Sequence, residues 1–188
     1  MRFLLAAVVI PPLVVAATAL THPASLSLES AEYWKNLHIW LLVWFPLLGL
    51  GPWLVARAVD RVTSRVVAVA AYTYATFYTA LDVLGGIGGG AIKDAEAGGL
   101  GILFPIAGDF EQIGGIALVL ASALAAGVAM QAVGWAQGAL PAVAVLLGSY
   151  ILWQEHIFKP WGPVAMLLLA AGWGAFVVLI ERRQAVPA

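Results

Sequence analysis

Tyr74, Tyr78 and Asp82 stand four residues apart in the stretch YTYATFYTALDVLGGIGGG. On a helix that spacing stacks two phenols and a carboxylate on one face. Three histidines, His22, His38 and His156, supply the other groups with ready chemistry at neutral pH. Histidine and carboxylate drawn from several helix ends form a ligand set suited to zinc or another first-row divalent ion. The same set suits acid–base work on a water or an ester. His22, His38 and Asp82 are therefore the candidate metal ligands. Asp82, Tyr78, Tyr74, His38 and His22 are the candidates for binding a small solute or ion.

Each residue also has a plainer role open to it. His22 precedes Pro23 in a turn, where it can simply be solvated. His38, between Asn36 and Trp40, suits a membrane interface, where an amphipathic ring keeps a wet tip. Asp109 with Gln112 reads as a capping pair for a helix, and Glu111 as a first-turn acid favoured by the dipole. Glu155 and His156 read as rim residues. Asp82 resists such a reading. If the hydrocarbon begins at Val66, a rise of ~1.5 Å per residue puts Asp82 about 24 Å into a core of about 30 Å. There a carboxylate costs up to ~2.5–3.5 kcal/mol and needs a partner inside the bundle. Its plainer role is an interhelical hydrogen bond, worth ~0.6 kcal/mol on average.

The elements that position these groups are membrane helices. Of 188 residues 63% are hydrophobic and 10% charged, against roughly half and a quarter in a soluble domain. Lipid is the natural solvent for such a chain. A net charge of −1 leaves no basic face for nucleic acid. The absence of cysteine excludes thiol catalysis, iron–sulfur clusters and Cys-ligated zinc.

Apolar runs at about 3–20, 37–56, 66–84, 113–132, 139–153 and 164–180 predict an all-α fold. It comprises six transmembrane helices in one antiparallel bundle over residues 1–188. The first run can also be read as a signal peptide cleaved after Ala17-Thr18-Ala19, which would leave five. The retained helix is preferred, because a single Arg is a weak positive n-region. Pro46 and Pro52 predict a bend in the second span. The run GGIGGG predicts that the third ends near Gly85, followed by an external loop over 85–110.

The charges are sorted. All six Arg fall at position 2, at 57–65 and at 182–183, whereas Lys35, Lys93 and Lys159 lie elsewhere. The positive-inside rule then places both termini in the cytoplasm. That threading puts all three histidines and eight of the ten acids on the outer side, leaving Asp60 and Glu181 inside. There is no HExxH, GxSxG or P-loop, and no evident internal repeat.

The combination THP, AEYWKNLH and YATFYTALDVLGGIGGG resembles small multi-pass membrane proteins encoded in GC-rich bacterial genomes. The resemblance covers about the first half of the chain. It implies a polytopic fold at the cell membrane and transfers no activity.

The leading expectation is a membrane protein that binds or transports a small solute or ion through an outward-facing polar pocket. A membrane-embedded metal hydrolase using His22, His38 and Asp82 is the first alternative. A haem or quinone anchor, using His38 with His22 or His156, is another. An accessory subunit whose partner supplies the chemistry is the last, and a homo-oligomer or a partner subunit is the assembly left open.

Overall fold

The computed structural model describes residues 2–185; the chain ends at 1 and 186–188, which the single-domain and orientation readings include, lie outside the described residues. Helices account for nearly all of the rest, with no strand among the described residues. They are α1 (Arg2–Ala19), α2 (Ala31–Trp44), α3 (Leu50–Val59), α4 (Arg61–Leu81), α5 (Gly89–Asp94), α6 (Leu100–Val133), α7 (Trp135–Glu155) and α8 (Trp161–Gln184). A 3₁₀ turn, Pro46–Gly49, joins α2 to α3, and a π-helical segment, Asp82–Gly88, joins α4 to α5. Counted as continuous rods, five are long and apolar enough to cross a membrane: 31–59, 61–94, 100–133, 135–155 and 161–184. The shorter apolar helix Phe3–Ala19 makes a sixth. This is a polytopic helical bundle.

Two expectations are corrected here. The glycine run does not end the third helix, and 85–110 is not a loop. The helix continues as a π segment and then α5 to Asp94; only residues 95–99 separate it from α6, which starts at Leu100 and not near 113. The reason is packing. Glycine disfavours a helix in isolation, but here it lets α2 lie against the helix backbone. A Cβ on Gly90 would stand 2.9 Å from the backbone nitrogen of Lys35, and one on Gly86 would overlap the His38 ring. Consequently Asp82 is not in a last helical turn, and Asp109 lies inside α6, exposed and without a capping role. The proline effect in the second span falls at Pro46, where the α-helix gives way to the 3₁₀ turn. Ser30 immediately precedes α2, but its hydroxyl bonds within the Ser25–Ser30 turn and does not cap the helix.

α6 runs through the centre, against α4 on one side and α7 on the other; α8 then packs on α7, and α1 on α8. Small residues make this possible. Gly114, Gly115, Ala117, Ala121, Ala125 and Ala129 of α6 are buried. A Cβ on Gly115 would stand 2.8 Å from the Trp153 Cβ, and one on Gly148 would stand 2.8 Å from the Ala165 carbonyl. Backbones at this range gain dispersion contacts that lipid cannot supply. Ser122 and Ser149 share a 2.8 Å hydrogen bond between α6 and α7. Large apolar side chains such as Val69, Leu120, Leu140 and Leu167 face outward and are more than half exposed, as expected of a surface solvated by acyl chains.

The charged ends differ. Asp60 caps α4 by accepting from the backbone of Val62 and Thr63, beside Arg61 and Arg65. Gln184 donates to the Ala58 carbonyl, which brings the Arg182–Arg183 end of α8 to Arg57. At the opposite end Lys159 donates to the Leu20 carbonyl and Lys35 pairs with Asp94 at 3.6 Å.

Candidate functional site

The lysine end of the bundle also gathers the titratable groups of the interior. Asp82 opens the π segment and is 1% exposed. A π turn adds a residue to the helix and loosens its hydrogen-bond ladder, a feature frequent at functional sites. Here the Gly85 carbonyl is turned to accept from Trp34 Nε1 of α2, at 3.3 Å. His38, one turn further along α2, is 3% exposed and places Nε2 3.8 Å from Asp82 Oδ1. Neither oxygen of Asp82 makes a hydrogen bond to the protein.

The tautomers of two histidines follow from their partners. His38 Nδ1 lies 2.7 Å from the Trp34 carbonyl, and His22 Nδ1 lies 2.7 Å from the Pro23 carbonyl. A carbonyl can only accept, so each Nδ1 carries a proton, and in the neutral ring each Nε2 presents a lone pair. His22 Nε2 is buried and without a hydrogen bond. His22 is not the solvated turn residue that its neighbour Pro23 suggests. It is 1% exposed, with its ring edge-on to Trp34 at 4.7 Å, His38 at 5.3 Å and Phe158 at 4.8 Å between centroids. Burial pushes its pKa down against the opposing pull of the Pro23 bond, and Lys159 adds to the lowering.

His156 is the residue that sequence reasoning misplaced. It follows the last turn of α7 at φ 50°, a conformation costly for a non-glycine residue. The turn brings the ring inward rather than to the rim, leaving it 8% exposed. Nδ1 shares a 2.8 Å hydrogen bond with the Tyr78 hydroxyl and lies 3.7 Å from Glu111 Oε1. Burial holds its pKa well below the ordinary value, with His38 and His22 adding to the effect. Tyr78 thus serves His156 rather than Asp82. Tyr74 is fully buried, and its hydroxyl has no hydrogen-bond partner. Glu111, read as a first-turn acid, belongs in mid-helix on the same chamber. The only signal for His156 and Glu111 was their shared side of the threaded chain.

A cavity of about 180 Å³ lies among these groups, lined by Trp34, His38, Asp82, Phe104, Glu111 and His156 with Leu81, Phe158 and small residues. His22 packs behind its wall through His38 and Trp34. Of the metal set, His22–His38 and His38–Asp82 are neighbouring pairs. No group of three or more His, Asp or Glu side chains that could hold a metal ion occurs among the described residues.

The class is thus defined as a multi-pass helical membrane protein with a buried acid–imidazole chamber near one end. Comparison with protein-family models, with curated proteins and with solved structures finds no match.

Proposed function

We propose that this protein binds a small solute or ion in the Asp82 chamber, for retention or for carriage across the bilayer. In this reading the arginine end faces the cytoplasm and the chamber faces outward, following the positive-inside rule. One observation carries the proposal. Asp82 is a buried carboxylate lining a cavity, and both of its oxygens lack a hydrogen bond to the protein. A buried acceptor left unsatisfied costs ~1–3 kcal/mol, and more if charged. A ligand that satisfies Asp82 gives the cost a purpose.

The test is thermal unfolding in detergent across a panel of amines, carboxylates, alcohols, sugars and metal ions. A ligand at a hundredfold its Kd adds about 2.7 kcal/mol of stability. The stabilisation is expected to vanish in Asp82→Asn. A solute that stabilises wild type and Asp82→Asn equally removes Asp82 from the site.

A further inference from the structure

The chamber has a chemical polarity that narrows its ligand. Both carboxylates at its wall, Asp82 and Glu111, are acceptors when ionised, and no Lys or Arg lines it among the described residues. The N–H donors of Trp34 and His38 are already used, and His156 Nδ1 is engaged with the Tyr78 hydroxyl. The Trp34 indole N–H is given to the Gly85 carbonyl, and the His38 Nδ1–H to the Trp34 carbonyl. What His38 offers is the Nε2 lone pair, 3.8 Å from an Asp82 oxygen. Three aromatic rings, Trp34, Phe104 and Phe158, complete the wall. An aromatic face attracts a cation within about 6 Å of its centroid, more strongly when water is excluded.

Size then separates an organic cation from a bare one. A dry cavity of about 150 Å³ accepts a molecule the size of benzene. At about 180 Å³ this chamber takes a ligand of several heavy atoms. A single metal ion would leave most of it empty, and no ready metal cage exists among the described residues. We infer that the chamber receives a small organic ammonium ion. Its N–H groups are directed at Asp82 and His38 Nε2, and its carbons lie against the aromatic rings. This deepens, and rests on, the reading of the chamber as a solute site.

The lack of native cysteine allows a direct test. A Cβ at Gly108, which lines the cavity, meets nothing within 4 Å, and the same holds at Gly98 in the 95–99 turn. Single variants Gly108→Cys and Gly98→Cys are treated with cationic aminoethyl and anionic sulfonatoethyl methanethiosulfonate. The cationic-to-anionic rate ratio at Gly108→Cys, divided by that at Gly98→Cys, is expected to be about tenfold or more, from the field of a nearby carboxylate. Ethylammonium chloride should slow labelling at Gly108→Cys and not at Gly98→Cys. Asp82→Asn in the Gly108→Cys background should abolish the protection by ethylammonium and lower the ratio, with Glu111 three residues from Gly108 still in place. If both reagents enter with a normalised ratio near one and ethylammonium gives no protection, the chamber is open but its ligand is not an ammonium. If neither reagent modifies Gly108→Cys while Gly98→Cys reacts, the chamber is closed, and the solute-site reading falls with the inference.

Discussion

Gly86→Ala is the sharpest probe of how the chamber is built. The added methyl would overlap the His38 ring and stand 2.5 Å from the His38 Cβ. Carbon atoms in contact sit about 3.5–4.0 Å apart, so at least about 1 Å of movement is needed. α2 has little room to yield. It is drawn to the π segment by the Trp34–Gly85 hydrogen bond at 3.3 Å, and Gly90 meets the Lys35 backbone one turn further on. Moving the ring instead breaks its 2.7 Å bond to the Trp34 carbonyl. Overpacking costs about 1–3 kcal/mol and the lost hydrogen bond about 1, against a helix-propensity advantage of about 1 for Ala over Gly. The net expectation is a loss of about 1–3 kcal/mol, or some 2–4 °C per kcal/mol in a chain of this length. Gly108→Ala is the control, because its methyl meets nothing within 4 Å and keeps only the propensity advantage. Unfolding of both variants in the same detergent decides the matter. Equal stability of Gly86→Ala and Gly108→Ala would refute the close seating of α2 on the glycine run.

The two tyrosines should behave differently despite their matched spacing. Tyr78→Phe removes the hydroxyl bonded to His156 and should cost about 1–3 kcal/mol, whereas Tyr74→Phe removes a hydroxyl with no hydrogen-bond partner and should be neutral or slightly stabilising. Parallel unfolding curves check this, and an equal cost for both would contradict the assignment. Acid sensitivity should report on His156. Its pKa is depressed in the folded state, so the stability it contributes is complete above the ordinary imidazole range and is lost as pH falls through that range towards the folded value. The slope is at most about 1.4 kcal/mol per pH unit for one group. His156→Gln should flatten this limb of a stability–pH profile, and an unchanged profile would count against the buried neutral imidazole.

Composition and charge order were enough to determine the class, the six helical rods and the sorting of Arg from Lys. Lipid leaves a long apolar segment almost no alternative to a helix, because its backbone must be satisfied internally. The oddness of Asp82 was likewise legible, as an acid in an apolar run with no local use. What only the tertiary structure decided was everything that depends on a neighbour. GGIGGG reads as a terminator because glycine costs a lone helix about 1 kcal/mol per residue. Against α2, Gly86 and Gly90 leave no room for a Cβ, and the helix runs on to Asp94. The i, i+4 spacing set Tyr78 one turn from Asp82, yet the hydroxyl went to His156, 78 residues away. His156 itself enters the interior through one positive-φ turn that no periodicity signals. The sequence named an unusual carboxylate; packing of α2, α6 and the end of α7 around it made a chamber.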